Sequence, residues 1–190
     1  MKTLRLYFIV LTGLVLLGLA ITLLRQPTAV NKVQAPLETI TRAPILNAST
    51  NTQQLYKIDP AQSQASYSVQ ETILQTIEGR TVVGKTKGIS GDILIDSKNF
   101  AQSQLGKITI DVEGLTSDSN LRDDRIRKGF LESSNYPEAV FIPEKLLGLP
   151  ERLEPNQTYN FQIEGYLTVK TTPAKTTWDA TISLNDNKLV

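Results

Sequence analysis

Phe161-Gln162-Ile163-Glu164-Gly165-Tyr166-Leu167-Thr168-Val169 decides the fold. In an extended chain successive side chains point to opposite faces, so Phe161, Ile163, Gly165, Leu167 and Val169 share one side and Gln162, Glu164, Tyr166 and Thr168 the other. A helix would scatter the same residues around its axis. The stretch is therefore a half-buried strand, with one face for a core and one for water.

The same period of two recurs on both sides of it. Ala65, Tyr67, Val69, Glu71 and Ile73 alternate with Ser and Gln. Ile89, Gly91, Ile93 and Ile95 alternate with Ser90, Asp92 and Leu94, and Ile108, Ile110 and Val112 with Thr109 and Asp111. Trp178, Ala180, Ile182 and Leu184 close the series. Glu78-Gly79, Asp96 to Asn99, and Leu149 to Asn156 with Pro150 and Pro155 supply turns between strands. A meander of hairpins fits this order. The exception is Leu121 to Ser133, where Leu121, Ile126, Phe130 and Leu131 fall near helical spacing. Asn120 with Asp123 three residues on resembles a capping box, and Tyr136-Pro137 marks a stop. One short helix among many strands excludes a doubly wound α/β fold. The expectation is an all-β antiparallel barrel or sandwich, and closure as a barrel of about eight strands would remove exposed edges.

The amino-terminal end is different in kind. Lys2 and Arg5 precede an uncharged, mostly apolar run from Leu6 to Leu24, closed by Arg25, Gln26 and Pro27. At about 1.5 Å per helical residue this run nearly crosses a hydrocarbon core of about 30 Å. Residues 1–25 thus read as a membrane anchor or a signal segment. Arg25 and Pro27 disfavour a cleavage site, which favours the uncleaved anchor. Basic residues on the short amino-terminal side would keep that end cytoplasmic and put the remainder outside, periplasmic or extracellular, or secreted if the segment is cleaved. Residues 26–54, rich in Thr, Gln, Asn, Pro and Ala, read as a flexible linker, and 55–190 as the barrel domain.

Composition narrows the chemistry. The chain has no His and no Cys. The commonest general base, the commonest metal ligand and every thiolate reaction are therefore missing. No S-x-x-K spacing offers a Ser-Lys nucleophile. Carboxylates alone could still do acid and base work, but Asp123 and Asp124 are poorly placed as a pair across one bond, because adjacent helical residues project about 100 degrees apart. The expectation is a protein that is not an enzyme, with no catalytic residue, no metal and no resident cofactor beyond a bound lipid. A formal net charge of +1 gives no field for nucleic acid.

Order and spacing add a resemblance. Tyr56-Lys57-Ile58-Asp59 with Ser63, and Gly88-Ile89-Ser90-Gly91-Asp92-Ile93, resemble the opening of YceI-like domains. Leu121-Arg122-Asp123, then Phe130-Leu131, Tyr136-Pro137 and Phe141, then Gly165-Tyr166-Leu167-Thr168-Val169, resemble the family's middle. The resemblance runs from about Leu55 to the end. It implies a lipocalin-like barrel, usually exported, whose apolar tunnel holds a polyisoprenoid, quinone or similar amphiphile. Two features depart from the family: Thr171-Thr172-Pro173 stands where members usually carry a Gly, and members usually continue past the position of Val190 with a closing strand, so that either the sequence is truncated there or the barrel keeps an open edge. An edge left open there would invite strand pairing.

The candidates to contact a lipid are Tyr67, Val69, Ile93, Ile110, Phe161, Ile163, Leu167 and Trp178, with Arg122 and Arg125 as candidates for a polar head group. Against this stands the plainer reading that the apolar set only fills a core and that the charged run Arg122 to Lys128 is a solvated helix face. A non-enzymatic envelope interaction protein with a filled barrel is then the alternative, and a dimer is one option for its assembly.

Overall fold

The computed structural model describes residues 3–4, 43, 45–72, 79–185 and 188–190. The apolar run from Leu6 to Leu24, most of the expected linker, and Ile73 and Glu78 lie outside them. Among the described residues no helix is long and apolar enough to cross a membrane. The strands are β1 (Thr3–Leu4), β2 (Gln53–Ile58), β3 (Ala65–Thr72), β4 (Gly79–Thr86), β5 (Ile89–Ser90), β6 (Asp92–Asp96), β7 (Gln104–Leu105), β8 (Ile108–Asp111), β9 (Glu138–Leu147), β10 (Thr158–Val169), β11 (Thr172–Asn185) and β12 (Lys188–Leu189). A helical segment, α1 (Asn120–Asp124) continued as a π-helix over Arg125–Leu131, separates β8 from β9.

Among the described residues the protein is all-β, with the α/π segment and one 3-10 turn at Phe100–Gln102, and its ladders are antiparallel apart from the short β1–β2 pair. Strands β12-β11-β10-β9-β8-β5 form one sheet, β1-β2-β6-β7 a second and β3-β4 a third. The meander holds from β8 to β12. Among the described residues the ladders make these three sheets and no closed ring, and the chain shows why. At Gly91 it leaves β5, which pairs with β8, and enters β6, which pairs with β2, so one run of alternating residues serves two sheets. The β3–β4 hairpin is joined to the rest by a bridge between Lys85 and Thr116, with backbone bonds of 2.8 and 2.9 Å.

Register places the deciding stretch. Across β10 and β11, Phe161 faces Ala180, Ile163 faces Trp178 and Leu167 faces Ala174; across β9, Leu167 faces Phe141 and Ile163 faces Leu146. The β9–β10 register shifts between Glu164 and Gly165. Such a bulge turns the strand, and here it brings two backbones together: a Cβ on Gly165 would lie 2.3 Å from the Ile142 carbonyl oxygen. The core below contains Ile58, Ala65, Ile89, Ile93, Phe100, Leu105, Ile108, Phe141, Ile163 and Ile182.

Three local features differ from expectation. The helix is capped by Ser119, whose hydroxyl accepts from the Arg122 amide, and not by Asn120. Ordered structure begins before Leu55, since β2 starts at Gln53 and Leu46 is buried against Gly106. A single apolar side chain within a polar stretch finds a place in the core although its neighbours do not. The β10–β11 hairpin turns through Lys170 and Thr171, with Lys170 at a φ of 58°. Glycine usually occupies such a position, and Lys170 is instead held by an ion pair of 2.6 Å to Glu132, itself left-handed at 50°.

Candidate ligand-binding interior

Two apolar clusters meet inside. The first is the core just described, with Tyr56, Ile110, Leu146, Leu149, Leu153, Tyr159, Phe161, Leu167, Trp178 and Ala180 packed on it. The second is Val112, Leu115 and Ala139, with Tyr67, Ile110, Leu131, Leu167 and Val169 around them. Ile110 and Leu167 belong to both, so apolar contact runs unbroken from Ile182 to Leu131.

Seven of the eight sequence candidates point into this interior. Ile93 and Ile163 are buried in the first cluster, and Phe161 and Trp178 line it. Ile110 and Leu167 bridge the clusters, and Tyr67 lies at the second. Val69 does not join them: it is 39% exposed, midway along β3 and opposite Val82. Phe141, which enters the sequence analysis only through the family resemblance and not as a lipid-contact candidate, is 2% exposed and meets Trp178 edge to face, with ring centroids 6.0 Å apart at 86°. Aromatic pairs prefer that geometry because a positive ring edge faces a negative ring face. The Trp178 indole N–H is buried and donates to no described group. An unpaired donor in apolar surroundings costs about 1–3 kcal/mol.

A polar cluster closes the Tyr67 end. The Tyr67 ring lies over Gly84, where an added Cβ would come within 2.1 Å of it. Burial, aided by the Asp123 charge, pushes the phenol up, while Arg122, Ser117 and Arg127 pull the other way. Asp123, 2% exposed, accepts from the Ser117 amide at 2.9 Å and from its hydroxyl at 2.6 Å. Asp123 thus ties the helical segment to the loop before it. Removing it as Asp123→Ala orphans these donors and is expected to cost about 2 kcal/mol, read as a lower urea midpoint at unchanged m-value.

The two head-group candidates part company. Arg122 turns inward, its guanidinium giving bonds of 2.6 Å to Asp118 and 3.1 Å to Ser117. Arg125 is exposed on the helical segment. Asp118, bonded to both Arg122 and Arg80, has its carboxyl held below the usual range, chiefly by the Arg122 bond. Lys128 and Arg127 do the same for Asp124. A depressed folded-state value means stabilisation that is complete above about pH 4 and lost as pH falls further. Stability should decline below about pH 4, less steeply in Asp118→Asn, when midpoints are measured across that range. Among the described residues no group of three or more acidic side chains is placed to hold a metal ion.

These features define an antiparallel all-β domain with an apolar interior and a helical segment over one end. The sequence profile of the YceI-like domain family matches residues 56–189, and the chain belongs to that family. Among solved structures it is similar to BcnA of Burkholderia cenocepacia, at 21% identity and a TM-score of 0.47, over 66% of this chain and 69% of that one. A polyisoprenoid binding domain from Saccharophagus degradans implicated in plant cell wall breakdown is 13% identical with a TM-score of 0.44, over 65% and 64% of the two chains. The YCEI protein of Campylobacter jejuni is 12% identical with a TM-score of 0.34, over 83% and 69%. Curated proteins give no match.

Proposed function

We propose that this domain binds an apolar amphiphile, an isoprenoid lipid or quinone, within the interior lined by Ile93, Ile110, Phe161, Ile163, Leu167 and Trp178, in a lipocalin-like barrel held outside the cytoplasm by the amino-terminal segment. The observation that carries the reading is the continuity of the two apolar clusters through Ile110 and Leu167. A chain-like ligand gains about 25 cal/mol for each Å² of apolar surface removed from water, so affinity follows the length of contact. The buried Trp178 N–H offers that ligand one hydrogen bond, to a carbonyl or hydroxyl oxygen. The role is binding and not catalysis: a chain without His or Cys has few means of moving protons or forming covalent intermediates at neutral pH. A filled interaction module is the second reading, favoured by the tight burial of Ile89, Ile108 and Phe141.

Trp178 is the only tryptophan, so its emission reports the interior directly. Titrating the protein with an isoprenoid quinone, a quencher, should give saturable quenching, and Leu167→Trp in a Trp178→Phe background should be quenched as well. Quenching that rises linearly without saturation would refute interior binding.

A further inference from the structure

The outer side of the helical segment carries a second chemistry. Leu121 is 75% exposed and Phe130 67%, at opposite ends of Asn120–Leu131. The next residue, Leu131, packs on the second apolar cluster, so the segment covers one end of the interior while leaving a leucine and a phenylalanine in water. The charges between them are sorted. Asp123 is turned inward onto Ser117, Arg122 reaches Asp118, and Glu132 is held by Lys170. What remains is Arg125, exposed, with Arg127 and Lys128 sharing the single carboxylate of Asp124. Three cations to one anion, flanked by two exposed apolar side chains, is the composition of an interfacial helix that lies in the headgroup layer of an anionic membrane. Gly129, with nothing within 4 Å of an added Cβ, leaves the surface beside Phe130 open.

We propose that Asn120–Leu131 docks on an anionic lipid surface, with Leu121 and Phe130 entering the boundary between headgroups and acyl chains and Arg125 and Lys128 meeting lipid phosphates. Charge favours lipid over a protein partner of mixed surface, and the apolar run at Leu6–Leu24 would keep the domain within reach of a bilayer. Docking would bring the Leu131 and Tyr67 end of the interior to the membrane. The proposal is independent of what fills the interior.

The absence of cysteine permits a direct test. Nitroxide labels are placed one at a time in the full chain as Leu121→Cys, Phe130→Cys and, at an exposed turn, Lys98→Cys. Each is mixed with vesicles of phosphatidylcholine containing phosphatidylglycerol, and accessibility to oxygen and to a water-soluble nickel chelate is compared. Labels at 121 and 130 should shift from nickel-accessible to oxygen-accessible while the label at 98 stays aqueous. Arg125→Glu with Lys128→Glu should reverse the shift at 130, with unchanged circular dichroism. Labels at 121 and 130 that remain as nickel-accessible as the label at 98 would overturn the proposal. Dipolar broadening between copies of a chain labelled at 121 or at 130 alone, without vesicles, would also overturn it, in favour of a second copy as occupant.

Discussion

Truncating Phe141 to alanine is expected to lower the free energy of unfolding by about 3–5 kcal/mol. The side chain is almost wholly buried and sits where β8, β9 and β10 meet, paired with Ile108 on one side and Leu167 on the other. Its loss removes transfer energy, leaves a void that the flanking strands cannot close, and takes away the edge-to-face contact with Trp178. Domains of this size are stable by about 5–15 kcal/mol, so the variant should melt far below the parent. Thermal and urea unfolding followed by Trp178 emission measure this, because the fluorophore is the partner of the ring that is removed. Phe141→Leu, which keeps most of the volume, should recover more than half of the loss. A shift under about 1 kcal/mol for Phe141→Ala would mean that the interior at this point is open and not packed.

Gly165→Val should be damaging for the opposite reason. Here the backbones of β9 and β10 approach so closely that a Cβ would collide with the Ile142 carbonyl oxygen, the Phe141 ring and Pro143. Two of those contacts are main chain, which cannot swing aside as a long side chain would. The strands must separate or the bulge must move, at a cost of about 3 kcal/mol. Gly165→Ala meets the same oxygen and should already lose most of that. Amide hydrogen exchange gives the sharpest readout: protection should fall along Thr168–Val140 and Gln162–Leu147 more than along the β3–β4 hairpin.

Both predictions rest on residues that the sequence exposes unequally. Gly165 and the strand around it were legible because alternation over so long a run has no helical counterpart. The same period separated the two faces of that strand, but it did not tell which of them turns inward; the packing of Phe161, Ile163 and Leu167 is visible only in the fold. Strand β9 was not legible, since Val140-Phe141-Ile142 is a continuous apolar triplet interrupted by Pro143, and adjacent apolar residues do not declare a face. Strand β4 hid for the same reason in Val82-Val83. Val69 shares the parity of Tyr67 and faces the buried Val82 across the hairpin, yet it is 39% exposed, and parity says nothing about how well a position is covered. Arg122 and Arg125 looked equivalent because charge is visible in sequence and direction is not. Only the fold shows Arg122 turned to Asp118 and Arg125 left at the surface. The split of one alternating run between two sheets at Gly91 could not be read from residue types, because it depends on which partner strands are in reach.

The central claim is that the interior holds an apolar ligand. Its most direct test is native mass spectrometry of the full chain, released from a membrane mimetic, with parallel organic extraction and lipid analysis, after expression in a host rich in isoprenoids. One isoprenoid or quinone molecule per chain is the expected result, lost together with the mass shift when Ile163 is replaced by Asp in a variant that still folds. A protein that is empty as purified, and still empty after incubation with isoprenoid lipids, would contradict the claim and leave a filled core as the account of these residues.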